Sequence, residues 1–233
     1  MFKHLPNSIT CCNLISGCIA VTFALMGEPA TALLWIVAGA VFDFFDGMTA
    51  RLLHVSSPIG KELDSLADVV TFGVAPSAML FFQLGIMDYP SILEPWRNIL
   101  PYSAFLMAAF SALRLAKFNL DERQTTSFIG LPTPANALFW GALIVGGSQW
   151  IEASRWMLPV VVLLMLVSCW LLVSEIPMFA LKFKQWGWHG NEVKYLFVAT
   201  SAVLLALFRI PGIALVIAWY VLLSAIVNMK HQD

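Results

Sequence analysis

Residues 31–82 read TALLWIVAGAVFDFFDGMTARLLHVSSPIGKELDSLADVVTFGVAPSAMLFF. Two apolar runs flank a polar middle that carries Asp43, Asp46, Asp64 and Asp68. Runs of this kind belong in a protein core or in lipid, and composition decides between the two. Of 233 residues, 60% are hydrophobic and 12% charged, with a mean hydropathy of +0.81. A soluble domain carries about 25% charged residues, so this chain lacks the charge to cover a water-facing surface. The expected class is an all-α, polytopic integral membrane protein.

Crossing the hydrocarbon layer takes about 17–25 apolar residues per helix. Eight spans are predicted, at 9–27, 31–50, 64–86, 99–116, 133–149, 156–174, 194–209 and 212–229. The last two are separated by RIPG (209–212), where Pro211 and Gly212 are expected to make a tight hairpin. No removable signal peptide, soluble domain, repeat or low-complexity tract is recognised, so residues 1–233 are expected to form one membrane-embedded domain. Lys and Arg set the orientation. Lys3, Arg51, Lys61, Arg114, Lys117, Arg123, Lys182, Lys184, Lys194 and Lys230 fall on one side; Arg97, Arg155 and Arg209 fall on the other. This bias predicts cytosolic N and C termini. Trp96, Trp150, Trp156, Trp186 and Trp188 fall near span ends, as interfacial anchors do. Cys11, Cys12, Cys18 and Cys169 all fall inside spans without ligand spacing and read as small apolar packing. The four histidines show no ligand spacing.

An ionised Asp near the centre of a membrane helix costs about 2.5–3.5 kcal/mol on insertion scales. Four unpaired ones would cost on the order of 10 kcal/mol, as much as a domain's net stability. With the predicted orientation, Asp43 and Asp46 lie in the cytosolic last turns of the second span. Asp64 and Asp68 lie in the first turns of the third. At about 100° per residue, the first pair is separated by about 60° and the second by about 40°. Each pair therefore shares a helix face, and two such faces brought together make a four-carboxylate cluster. Like charges this close need protonation or a bridging cation, and an all-oxygen donor set suits Mg²⁺ or Mn²⁺. The alternative, pairing with Arg51, Lys61 and Arg114, offers three bases for four acids. Gly47, Ala50 and Gly60 lie one turn from the aspartates and leave room for a bulky group near the backbone, although small residues also serve helix packing. Arg51 can offer a planar donor fork to phosphate.

Asp43, Asp46, Gly47, Ala50, Arg51, Gly60, Asp64 and Asp68 satisfy D-x2-D-G-x2-A-R-x8-G-x3-D-x3-D. This pattern resembles the signature of the CDP-alcohol phosphatidyltransferases. The resemblance implies two divalent cations, Mg²⁺ or Mn²⁺, held by the first three aspartates and the CDP diphosphate. Asp68 would add to the metal site and serve as general base. It further implies CDP-diacylglycerol as a substrate, contacts from Asp46, Gly47, Ala50, Arg51 and Gly60, and a homodimer.

Four segments resemble one branch of that family, the membrane-embedded phosphatidylserine synthases: 6–17 (PNSITCCNLISG), 60–77 (GKELDSLADVVTFGVAPS), 114–119 (RLAKFN) and 128–137 (FIGLPTPANA). The implied acceptor is L-serine. Its carboxylate needs a cationic or multi-donor partner, and Arg114, Lys117 and Asn119 are the candidates; positive-inside anchoring is the competing role for Lys117. GLPTP (130–134) is expected either to shape a pocket wall or to start a helix. Asn7, Thr10 and Asn13 fall about a turn apart and are candidates for the nucleotide pocket, with N-capping an alternative for Asn7. The last three spans carry no motif and read as lipid-facing packing.

Two alternatives stay open at this point. One is the same chemistry with glycerol 3-phosphate or an inositol phosphate as acceptor, which calls for several bases near the metals; Arg51, Arg114, Lys117 and Arg123 are those available. The other is a carboxylate-based cation or proton-coupled transporter, whose site would be expected near the midplane between repeats. No nucleic-acid partner is expected. A compact chain of this kind suits a bacterial inner membrane, with the site at the cytosolic interface and a lateral opening for lipid tails.

Overall fold

A computed structural model of the chain describes residues 4–55, 57–120, 128–178, 187 and 191–230. Lys3, Arg123, Lys182 and Lys184, used above for orientation, lie outside these residues, as do Trp186, Trp188, His189 and His231. The fold is all-helical: α1 (Leu5–Leu25), α2 (Pro29–Leu52), α3 (Pro58–Asp68), α4 (Ala75–Ile86), α5 (Leu106–Leu120), α6 (Thr133–Ile151), α7 (Met157–Val173), α8 (Glu192–Phe208) and α9 (Ile210–Lys230). A π-helical stretch, Val69–Val74, joins α3 to α4 in one continuous rod. Phe128–Ile129 and Pro177–Met178 pair as a two-residue antiparallel ladder. Among the described residues, Leu5–Leu25, Pro29–Leu52, Pro58–Ile86 and Ile210–Asn228 are long and apolar enough to cross a membrane. Exposed Leu34, Val37, Val41, Leu163, Leu166 and Trp170 clothe the outside of the bundle in apolar surface, as lipid demands. The chain is an integral membrane protein.

Helix starts follow local chemistry. Pro29 opens α2, where a missing N–H costs nothing, and Pro58 opens α3 behind Ser57, whose hydroxyl accepts from the Gly60 N–H at 3.0 Å. The third rod therefore starts six residues before the predicted 64. Its opening turns are amphipathic rather than apolar, so hydropathy alone does not register them. As a consequence, Asp64 and Asp68 lie about 9 and 15 Å along the rod, in its second and third turns. Asn7 does not cap α1. The cap position is His4, without a side-chain hydrogen bond, and Asn7 sits inside the helix.

The core is built on α1, α2, α4, α6 and α7, around buried Ile36, Phe72, Leu80, Trp140, Ile144 and Met165. The Trp140 indole N–H donates to Ser168 Oγ at 3.1 Å, tying α6 to α7. Close approach is greatest around Thr71 in the π-helical stretch. A Cβ on Gly17 would collide with Thr71, and one on Gly39 would lie 2.5 Å from the Thr71 methyl. Three rods thus meet at one threonine, whose hydroxyl donates to the Asn13 carbonyl oxygen at 3.0 Å.

The α8–α9 reversal differs from the expectation. Arg209, at φ 54°, makes the turn, while Pro211 and Gly212 lie within α9. Gly212 instead permits close packing, since a Cβ there would lie 2.7 Å from the Leu204 carbonyl oxygen. Nor are the last three helices only a lipid-facing coat: Val161, Met165, Cys169 and Leu172 of α7 are core residues, and α9 packs along α6.

Candidate active site

Counted back from the end of α2 at Leu52, Asp46 and Asp43 stand about 9 and 13 Å deep. Asp64 and Asp68 stand at similar distances, about 9 and 15 Å, from the start of their own rod. Asp43, Asp64 and Asp68 each offer a carboxylate oxygen within 4.8 Å of the other two. Asp46 stands beside this triad, buried, with the Thr10 hydroxyl next to it. Asp46 Oδ2 and Asp64 Oδ1 are buried and have no hydrogen-bond partner.

The competing idea of ion pairing fails on contacts as well as on count. Among the described residues, no Lys or Arg nitrogen is paired within 4 Å with any of the four carboxylates. The Lys61 ammonium donates to the Asn119 carbonyl oxygen at 3.0 Å, Arg114 Nη1 reaches Thr133 Oγ1 at 3.5 Å, and Arg51 is exposed. Clustered carboxylates repel one another without a counter-charge. A hard-oxygen donor set with two orphaned buried oxygens fits a divalent cation such as Mg²⁺ or Mn²⁺.

Asp68 is held from behind. The Asn13 Nδ2 donates to Asp68 Oδ1 at 3.1 Å, and both residues are buried. Gly39 makes this possible, because a Cβ there would lie 2.9 Å from Asn13 Oδ1. Asn13 therefore belongs to the carboxylate cluster and not to the nucleotide cleft where its spacing from Asn7 and Thr10 had suggested it.

Beside the carboxylates lies a cleft of about 200 Å³ between α1, α2 and α3. Its walls include Asn7 and Thr10 from α1, Asp46, Gly47 and Ala50 from α2, and Gly60 and Asp64 from α3. Ser57, not singled out from the sequence, and Lys61, considered there only as a counter-charge, also line it. A Cβ on Gly47 would meet nothing within 4 Å, so this glycine keeps the cleft open rather than helping helices pack. Arg51 is not part of the lining.

The three residues considered for serine are separated. Arg114 is buried, with its Nε unpartnered, and lies close enough to Asp68 for their charges to interact. Lys117, one turn further along α5, is exposed. Asn119 is a structural tie: its Nδ2 donates to Ser65 Oγ at 2.8 Å and its carbonyl accepts from Lys61. Of the two roles open to the GLPTP segment, the structure shows the helix start. Gly130, at φ 73°, lies against the end of α7, where a Cβ would be 2.9 Å from the Leu172 carbonyl oxygen, and α6 starts at Thr133. Buried Thr133 and Asn136 on α6 went unassigned in the sequence. Their signal was polar residues on the inward face of an apolar helix.

The chain is similar in sequence to known proteins. The CDP-diacylglycerol–serine O-phosphatidyltransferase of Bacillus subtilis strain 168 is 42% identical over 132 residues, covering 57% of this chain and 70% of the relative. Those of Mycobacterium leprae and Mycobacterium tuberculosis H37Rv are 33% and 34% identical, each across 96% of this chain and 70% and 74% of their own lengths. The family model for CDP-alcohol phosphatidyltransferases matches residues 3–176, which span the whole carboxylate cluster and the cleft beside it. With the signature aspartates gathered on two facing rods and the match running through them, the chain belongs to the CDP-alcohol phosphatidyltransferase family.

Proposed function

We propose that the protein transfers the phosphatidyl group of CDP-diacylglycerol to L-serine, giving phosphatidylserine and CMP. One observation carries this reading: a small-residue cleft opens directly onto a carboxylate cluster, in a chain that aligns over nearly all its length with serine O-phosphatidyltransferases. In the reaction the serine hydroxyl oxygen bonds to the lipid-side phosphorus as the bond from that phosphorus to the CMP oxygen breaks. CMP leaves as the anion. Two divalent cations, Mg²⁺ or Mn²⁺, held by Asp43, Asp46, Asp64 and Asp68, would neutralise the diphosphate and stabilise the leaving group.

The protein's own groups divide the remaining work. Gly47, Ala50 and Gly60 let the nucleotide approach the backbone, with Asn7, Thr10 and Ser57 as polar walls. Asp68, its Oδ1 engaged by Asn13, keeps Oδ2 for the serine hydroxyl proton. Arg114 supplies positive charge on the side of Asp68. Arg51, exposed near the end of α2, would swing onto phosphate, and Lys117 and Asn119 would frame the approach to Arg114.

The same reading includes eight spans, cytosolic termini, a site at the cytosolic interface of a bacterial inner membrane, and a homodimer. It is tested by incubating membranes with labelled serine, CDP-diacylglycerol and Mn²⁺ or Mg²⁺. Label should enter lipid with release of CMP. Label that stays aqueous while glycerol 3-phosphate is consumed would reassign the acceptor.

A further inference from the structure

Away from the metal cluster, α5 and α6 share a buried polar patch. Ser111 and Arg114 lie one turn apart on α5, Thr133 and Asn136 one turn apart on α6, and each is at most 7% exposed. Arg114 Nη1 and Thr133 Oγ1, 3.5 Å apart, join the two faces. Four atoms of this patch have no hydrogen-bond partner: Ser111 Oγ, Arg114 Nε, and both Asn136 Nδ2 and Asn136 Oδ1.

Asn136 is the unusual member. It is completely buried, yet neither end of its amide is satisfied. An unpaired buried polar group is destabilising, and an apolar residue of similar shape would avoid that cost. Such groups are few in native proteins and call for an explanation. An amide offers donors at one end and an acceptor at the other. Its complement is a ligand carrying both an anionic acceptor and a cationic donor close together. Arg114, one helix away and electrostatically linked to Asp68, marks the anionic end of that ligand and the direction of the reacting hydroxyl.

We infer that Asn136 is a specificity-determining contact for the amino-acid head of the acceptor. In this arrangement Asn136 Oδ1 accepts from the α-ammonium, while Asn136 Nδ2 and Arg114 Nε donate to the α-carboxylate. Thr133 holds Arg114 in place. The acceptor site then lies between α5 and α6 rather than along α5. This assignment rests on serine being the acceptor.

The test uses the full-length enzyme in detergent or vesicles, with serine, 3-hydroxypropionate (serine without its ammonium) and ethanolamine (serine without its carboxylate) as probes. A site that hydrogen-bonds a substrate group can reject the analogue lacking it by about 10⁴-fold, so wild type should strongly prefer serine. Asn136→Leu should raise the KM for serine at least about tenfold and shrink the preference over 3-hydroxypropionate, with the KM for CDP-diacylglycerol within about twofold. Asn136→Ser should fall between, and Thr133→Val should raise the KM for serine with little change in kcat. An unchanged KM for serine in Asn136→Leu overturns the assignment. So does an equal loss of CDP-diacylglycerol binding in both Asn136 variants, which marks a structural role. A wild type inert to serine but active with another alcohol removes the serine reading itself, and this contact with it.

Discussion

Asn13 and Asp68, 55 positions apart in sequence, are joined by a hydrogen bond of 3.1 Å from the Asn13 amide to the Asp68 carboxylate. The bond leaves one Asp68 oxygen engaged and orients the other. Hydrogen bonds to charged groups are worth about 1.5–3 kcal/mol. Asn13→Ala should therefore cut kcat by about 10- to 100-fold while leaving CDP-diacylglycerol binding within about threefold. Steady-state kinetics with both substrates varied separates the two effects, and an unchanged kcat would remove Asn13 from the mechanism.

Asp68 itself can be sorted between proton acceptor and metal ligand. A positioned base contributes about 10²–10⁴-fold in rate. Asp68→Asn should lose turnover on that scale while CDP-diacylglycerol affinity stays within about tenfold, or about 1.4 kcal/mol. Asp43→Asn should lose binding and turnover together. Equal binding losses in the two variants would make Asp68 a metal ligand first, with the base to be sought elsewhere.

The triad of Asp43, Asp64 and Asp68 predicts strict cation dependence. Chelation should abolish turnover, and added Mn²⁺ or Mg²⁺ should restore it. Asp64→Asn should be inactive while still inserting into the membrane. Near-normal turnover of Asp64→Asn, with an unchanged metal titration, would refute a metal site built on that carboxylate.

Two glycines two turns apart on α2 should behave oppositely. A Cβ at Gly47 meets nothing within 4 Å, whereas one at Gly39 lies 2.5 Å from the Thr71 methyl and 2.9 Å from Asn13 Oδ1. Gly47→Val should fold normally and raise the KM for CDP-diacylglycerol by filling the cleft. Gly39→Ala should lower stability by about 1–3 kcal/mol, the usual cost of overpacking. Melting curves beside kinetics distinguish them; a destabilised Gly47→Val with normal KM would contradict the reading of the cleft.

Orientation is open to thiol labelling. In a background lacking the native cysteines, Leu53→Cys should be protected from an impermeant reagent in intact cells and Ser91→Cys should react, both positions being exposed. The reverse pattern would place the carboxylates on the far side of the membrane.

Much of this was legible in the chain itself. Hydropathy and the scarcity of charge placed the chain in a membrane, because lipid selects for composition. Spacing put each aspartate pair on one helix face, because helical periodicity is local. The eight-position signature identified the family from residues 43–68 alone. What lay beyond the sequence was every relationship between distant residues. Asp43 joins Asp64 and Asp68 while Asp46 turns to the cleft, Asn13 backs Asp68 rather than the nucleotide, and Arg114 points inward to Thr133 while Lys117 is exposed. The start of the third rod at Pro58 was hidden too, because its amphipathic turns are stabilised by the Ser57 cap and by contacts with α1 rather than by hydrophobicity. These features depend on how the rods are rotated against one another. Close contacts at Gly17, Gly39 and Thr71 set that rotation, and only the packed bundle brings them together.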